Sequence, residues 1–157
     1  SLIITMLDGR YIEAKMCPIG LASFLLGDKW IPLIIRDIAL FDRRTFNHML
    51  NSNQEGISSG SLSSRLKQML HLNLLHVERS EEHMQKKLYY LTEAGISFVP
   101  ILWNLAAWTQ EFRNPSQDIV ETVNRYSSDK ATMDDFINTL RKIHIEKTIQ
   151  PEPNWWI

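Results

Sequence analysis

Gly56-Ile57-Ser58-Ser59-Gly60-Ser61-Leu62-Ser63-Ser64-Arg65-Leu66-Lys67-Gln68-Met69-Leu70 is the stretch on which the fold turns. Leu62, Leu66, Met69 and Leu70 recur at i, i+4, i+7 and i+8, the spacing of a helix with one buried stripe, so a helix is expected over about 58–72. Ser58 can cap it, and Ile57 with Leu62 makes a hydrophobic staple around the cap. The opposite face carries Gly60, Ser61, Ser64, Lys67, Gln68 and His71: small, polar, and basic toward the C-terminal end. Two readings fit such a face. It is either an ordinary solvated surface or one that enters a nucleic-acid groove, where small hydroxyls reach phosphates and base edges without bulk or negative charge.

The flanks narrow the choice. Upstream, Thr45 caps a helix carrying Phe46, Met49 and Leu50, and the polar loop Asn51-Ser52-Asn53-Gln54-Glu55-Gly56 has strong turn chemistry. Downstream, Asn73 is placed as a left-handed cap. Leu75–Arg79 and Lys87–Leu91 then read as two strands rich in aromatic and aliphatic residues, joined by the polar connector Ser80–Lys86. Two antiparallel strands directly after a helix-turn-helix form a wing.

Working further outward, Cys17-Pro18 opens a short helix that ends at Gly27. Asp28 can cap the next helix, with Trp30, Leu33, Ile34, Ile38 and Phe41 as its buried stripe. Past Thr92-Glu93-Ala94-Gly95 lies a helix that is apolar almost all round, including Phe98, Leu102, Leu105, Trp108 and Phe112. Such a helix needs cover on two sides: its own domain on one, and on the other either a second subunit, with those five residues as dimer interface, or the C-terminal extension. Beyond Asn114-Pro115-Ser116, Ile119, Val120, Val123 and Tyr126 predict one short helix. A second starts at a capping box from Thr132 to Asp135 and carries Phe136, Ile137, Leu140 and Ile143. The prolines of Gln150–Ile157 exclude a continuous helix, and Trp155 and Trp156 are expected to pack on the dimer or to fray.

Composition sets the bounds. The 157 residues, 44% hydrophobic and 22% charged, suit a folded domain with an extension. The expected division is an N-terminal arm (1–16), a winged helix-turn-helix DNA-binding domain that includes the dimerisation helix (17–112) and a helical extension (113–157). No apolar run reaches the roughly 18 residues of a membrane span, and no signal peptide is read at the start, so a soluble, cytoplasmic chain with no membrane partner is expected. The single cysteine excludes an internal disulfide, and His48, His71, His76, His83 and His144 are scattered, so no metal site is expected. No cofactor motif, P-loop, Ser-His-Asp order or paired carboxylate argues for an enzyme. Net charge is −1, yet the basic residues pair locally as Arg43-Arg44, Arg65 with Lys67, and Lys86-Lys87, which suits a partner that touches one face.

The order of motifs across residues 17–110 resembles the HxlR-type winged helix-turn-helix transcriptional regulators. The matching pieces are Cys17-Pro18; Leu26-Gly27-Asp28-Lys29-Trp30 followed by Leu33-Ile34-Ile35-Arg36-Asp37; Arg44-Thr45-Phe46; Glu55-Gly56-Ile57-Ser58 with Leu62-Ser63-Ser64-Arg65-Leu66; Tyr90-Leu91-Thr92-Glu93-Ala94-Gly95; and Pro100-Ile101-Leu102 leading to Trp108. The implied fold is mainly α (α+β), a winged helix-turn-helix with a two-stranded wing and additional C-terminal helices. Asp42 stands where the family usually has Gly, Gly60 where Asn is common and Asn73 where Gly is common, and the wing lacks the usual prolines.

The resemblance implies a homodimer bound to double-stranded DNA, each recognition helix (about 58–72) in the major groove and each wing (about 75–91) on flanking DNA. Base contact is carried onto Ser59, Gly60, Ser61 and Ser64, and phosphate contact onto Arg43, Arg44, Thr45, Lys67, Lys86 and Lys87. Arg65 fits either a phosphate or an intradomain salt bridge. Cys17 fits either an oxidant sensor, since a helix N-terminus favours thiolate, or buried packing. The effector, whether small molecule or oxidant, is unspecified. The alternative to a regulator is a winged-helix adaptor for protein partners that has lost strong DNA binding.

Overall fold

Caps and breakers set the order of elements in this computed structural model, which describes residues 3–5, 11–13 and 17–157. A short antiparallel ribbon pairs β1 (Ile3–Thr5) with β2 (Tyr11–Glu13). Then come α1 (Pro18–Leu26), α2 (Trp30–Phe41), α3 (Phe46–Ser52), α4 (Ser59–His71), β3 (Leu75–Arg79), β4 (Lys87–Leu91), α5 (Glu93–Phe112), α6 (Val120–Ser128) and α7 (Lys130–Arg141), with a π-helical turn over Lys142–Glu146. This is a winged helix-turn-helix with added C-terminal helices. Among the described residues, no single helix is long and apolar enough to cross a membrane.

Every α-helix but α6 starts where a side chain satisfies free backbone donors. Asp28 Oδ1 accepts from the amides of Trp30 and Ile31 at 2.9 and 3.0 Å. Thr45 Oγ1 accepts from His48 N–H, Ser58 Oγ from Ser61 N–H, and Thr92 Oγ1 from Gly95 N–H. Cys17 takes the same place on α1, its exposed Sγ accepting from Gly20 N–H at 3.2 Å, so the buried-packing reading of this thiol falls. The helix expected from Thr132 starts earlier. Asp129 caps α7 and accepts the Thr132 hydroxyl as well, because its carboxylate reaches the first-turn amides that Thr132, already inside the helix, cannot.

The core is continuous from α2 to the tail. On α2 it is built from Ile31, Ile34, Ile35 and Ile38, all at or below 2% exposure, while Trp30 and Leu33, expected on the buried stripe, are half-buried. The stripe is rotated because α2 packs against both α4 and α5. The wing pairs Leu75 with Leu91 and Arg79 with Lys87, and Tyr89 N–H donates to Arg44 C=O at 2.8 Å, tying β4 to the segment before α3. Asn73 adopts φ 56°, and its carbonyl accepts from Thr92 Oγ1 at 2.6 Å. Gly95 is obligatory here for a packing reason, since a Cβ would lie 2.3 Å from the Leu74 carbonyl.

The terminal tryptophans do not fray but pack on their own chain. Trp156 is 4% exposed and meets Phe41 edge-on at 5.9 Å and Trp103 at 5.9 Å, while its carbonyl accepts from Tyr126 Oη at 2.7 Å. Trp155 stacks on Phe136 at 5.1 Å, and Trp103 stacks on Tyr126 at 4.5 Å. Aromatic area that an isolated extension would leave in water is thereby buried against α2 and α5.

A buried charge fixes the helix-turn-helix. Asp37, 1% exposed, receives Arg36 at 2.7 and 2.9 Å, Asn53 Nδ2 at 3.2 Å and Arg43 Nη1 at 3.4 Å. Arg36 also grips Glu55 bidentately at 2.5 and 2.9 Å, and this charge-assisted pair holds the Glu55 carboxyl below the usual range. Asp37→Ala would leave two arginines without their shared anion, and a loss of about 3 kcal/mol is expected in urea unfolding. A loss under about 1 kcal/mol would class the cluster with ordinary surface pairs.

His144 in the π-turn is 1% exposed, and its Nδ1 accepts from Leu91 N–H at 3.2 Å. Burial, then the positive charges of Arg44, His76 and Lys147, push its pKa down to about 3. The unfolded chain takes up a proton near pH 6.5 that the folded chain refuses, so stability from this site is complete above pH 6.5 and drains as pH falls toward 3. His144→Asn, which keeps an acceptor but cannot titrate, is expected to flatten the melting temperature between pH 6.5 and 4. An unchanged slope would contradict this account.

Candidate nucleic-acid interface

Capping and the α4 stripe decide what the helix shows to solvent. With Leu62, Leu66 and Met69 buried, Ser59 and Gly60 stand exposed on the first turn, Ser61 and Ser64 are half-exposed, and Lys67 is exposed one turn further on. Apart from its chain neighbours and the backbone of its own helix, no heavy atom lies within 4 Å of where a Cβ of Gly60 would be, so the smallest point of this face opens directly to solvent. A partner's backbone can come closest there.

Beside α4 the wing folds back to leave an open groove of about 730 Å³. Thr45 and Asn47 line it from α3, Ser63 and Lys67 from α4, and His83 and Lys86 from the wing. Lys87 and Tyr89 complete the wing side. Lys67, Lys86 and Lys87 are exposed and form no ion pair among the described residues, so their charge is available to an anionic partner. Arg79 Nη1 donates to Met84 C=O at 2.9 Å and fixes the connector that presents His83 and Lys86. Exposed Glu81 and Glu82 lie in the same connector as Lys86, at the tip of the wing.

The three arginines expected at phosphates are otherwise engaged. Arg43 is 12% exposed at its side chain, paired with Asp37 and lying over Phe41 at 4.5 Å. Arg44 is 15% exposed, pairs with Asp42 at 2.8 Å and lies over Tyr90 at 5.0 Å. Asp42 adopts φ 51°, the left-handed geometry that favours Gly, and its half-buried carboxyl is pushed up in pKa by desolvation, which Arg44 opposes. Arg65 Nε bonds Asp28 Oδ2 at 3.0 Å, so of its two readings the intradomain pair is the one formed.

On α5, the residues read as dimer surface divide. Phe98 is 7% exposed and belongs to the core of its own chain, and Leu102 is half-buried there. Leu105, Trp108 and Phe112 remain 44%, 51% and 55% exposed, joined by Ile101 at 43%. Reading the helix as apolar all round hid this division, because only the packing of α6 and α7 on α5 shows which side is already covered.

Asn47, Ser63, His83, Gln85 and Tyr89 also line the groove and were not singled out from sequence. Asn47 carried a usable signal, two residues past the Thr45 cap. His83 and Gln85 carried none, since the connector's course depends on the wing pairing.

The sequence profile of the HxlR-like helix-turn-helix family matches residues 25–117. An uncharacterized HTH-type transcriptional regulator of Mycobacterium tuberculosis is 32% identical over 94 residues, 60% of this chain and 58% of its own length, so the match spans little more than half of that relative. The HTH-type transcriptional regulator YodB of Bacillus subtilis is 29% identical over 107 residues, 68% of this chain and 94% of YodB. The reduced form of YodB superposes with a TM-score of 0.52 at 28% identity, covering 65% of this chain and 99% of that one. The crystal structure of PA1607 gives a TM-score of 0.57 at 24% identity over 67% and 71% of the two chains, a likeness of fold. With the family profile spanning the helix-turn-helix, the wing and α5, the chain belongs to the HxlR-like helix-turn-helix family.

Proposed function

We propose that the chain is a dimeric, sequence-specific DNA-binding transcriptional regulator that acts by binding alone. It sets α4 in the major groove of double-stranded DNA and the wing on flanking DNA. The observation that carries this reading is the small hydroxyl face of α4 beside a groove whose free charges are the lysines 67, 86 and 87. Ser59, Gly60, Ser61 and Ser64 take the base edges, and Thr45, Lys67, Lys86 and Lys87 the phosphates. Hydroxyl readout is weakly discriminating, so DNA shape and bridging water carry much of the preference. Arg43, Arg44 and Arg65 are assigned to the scaffold. YodB and the Mycobacterium relative, both named HTH-type transcriptional regulators, support the same reading. An acidic or apolar surface at the groove would have favoured the adaptor, and the free lysines there argue against it.

The division into an arm (1–16), a DNA-binding unit (17–112) and a helical extension (113–157) belongs to this proposal. So does the homodimer, which the exposed stripe of Ile101, Leu105, Trp108 and Phe112 supports, an apolar band a lone chain would leave in water. An oxidant response is assigned to Cys17, exposed at the start of α1.

Binding to the DNA upstream of the chain's own coding region, followed across a salt series, tests the reading. Affinity is expected to fall steeply with salt, and Lys67→Ala to weaken binding and lower the log–log slope by about two per dimer, about one for each lost phosphate contact. Parent-like binding by both Lys67→Ala and Lys86→Ala would refute the phosphate assignment. Trp108→Glu is expected to sediment as a monomer with DNA affinity lost; a dimer would remove the stripe from the interface. Mild oxidant is expected to change the affinity of the parent but not of Cys17→Ser, and equal responses would exclude that thiol.

A further inference from the structure

We infer that the cavity between α2 and α5 is a binding site for a small, uncharged aromatic or alicyclic molecule. Leu33 and Leu40 from α2 face Val99, Leu102, Trp103 and Ala106 from α5 across about 220 Å³. Pro32 and Ile119 complete a wall whose exposed atoms are almost all carbon. The pocket is open to solvent on one side, and its volume takes a single ring with substituents or a compact bicycle. The occupant is uncharged because Arg36, the one charged lining residue, has its guanidinium bound to Asp37 and Glu55 and offers only its carbon stem. A carboxylate here would lose hydration and gain no cation.

The cavity is separate from the surface assigned to a second subunit. At 3.6 residues per turn, Val99, Leu102, Trp103 and Ala106 lie on nearly the opposite side of α5 from Ile101, Leu105, Trp108 and Phe112. A dimer formed through that stripe leaves the cavity free. Its α2 wall is also the helix whose Arg36 and Asp37 hold Glu55 and Asn53, the residues that set the loop before α4. Filling the cavity therefore biases the presentation of α4. This regulatory consequence rests on the DNA-binding reading above, whereas occupancy does not.

The test titrates the full chain with toluene and indole, with benzoate as the charged control, reading melting temperature and the NMR resonances of Leu33, Val99 and Ala106. Toluene and indole are expected to raise the melting temperature with concentration and to shift those resonances, and benzoate to do neither. Ala106→Phe, which fills the cavity, is expected to abolish the response, and the milder Ala106→Leu to weaken it several-fold. No response up to the solubility limit, an undiminished response in both variants, or equal binding of benzoate would overturn the inference. So would intersubunit contacts at Leu33 and Ala106 in the ligand-free protein, which would make the cavity part of an interface. Occupancy is read without DNA, so a chain that binds indole but no DNA separates failure of the regulator reading from failure of the site.

Discussion

A carboxylate buried to 1% exposure organises this molecule. Taking Asp37 out of water costs several kcal/mol unless its lone pairs are met; Arg36 and Asn53 meet them with hydrogen bonds, and Arg43 adds its charge at 3.4 Å. Asn53 does more: its Oδ1 accepts from the amides of Glu55 and Ile57 and shapes the loop before α4. The angle at which α4 leaves α3 is thus set by a polar cluster in which Arg36, Asp37, Asn53 and Glu55 are hydrogen-bonded to one another. Two consequences follow from the same contacts. The loop is pinned where the Ser58 cap must form, and Arg36 and Arg43 are withdrawn from the surface.

That withdrawal explains how a nearly neutral chain can still present a basic face. Arg36, Arg43, Arg44 and Arg65 serve the interior and the joints, where a planar fork pairs with carboxylates, and Arg43 and Arg44 lie over Phe41 and Tyr90. Lysines carry the free charge of the groove. Around Tyr90 the arrangement tightens further: Arg44 and Lys147 lie over its ring, His76 stacks on it at 5.2 Å, and Lys147 bonds Glu78 and holds that carboxyl below its usual range. The wing is thereby joined to the C-terminal turn, and its attitude beside α4 depends on residues more than fifty positions away.

The C-terminal helices act in the same way on α5. Trp103, Tyr126, Phe136, Trp155 and Trp156 form an aromatic cluster that covers one side of that helix and leaves the opposite stripe open. From sequence alone a second subunit and the extension compete for the same helix. In the folded chain the extension covers one side, and the stripe of Ile101, Leu105, Trp108 and Phe112 stays exposed on the other.

Local chemistry was legible wherever a residue acts on its own neighbourhood. The caps at Asp28, Thr45 and Ser58, the left-handed Asn73 and both wing strands follow from side-chain reach, backbone preference and alternation over a few residues. So does the α4 face, because a buried stripe of Leu62, Leu66 and Met69 dictates what lies opposite. What the sequence by itself could not determine is where long, charged or aromatic side chains end, since their partners are distant in the chain: Arg43 with Asp37, Arg65 with Asp28, Trp156 with Phe41. Local periodicity determined the elements and the surface of α4; only tertiary packing decided which cations stay free to meet a partner, because the folded core claims the others first.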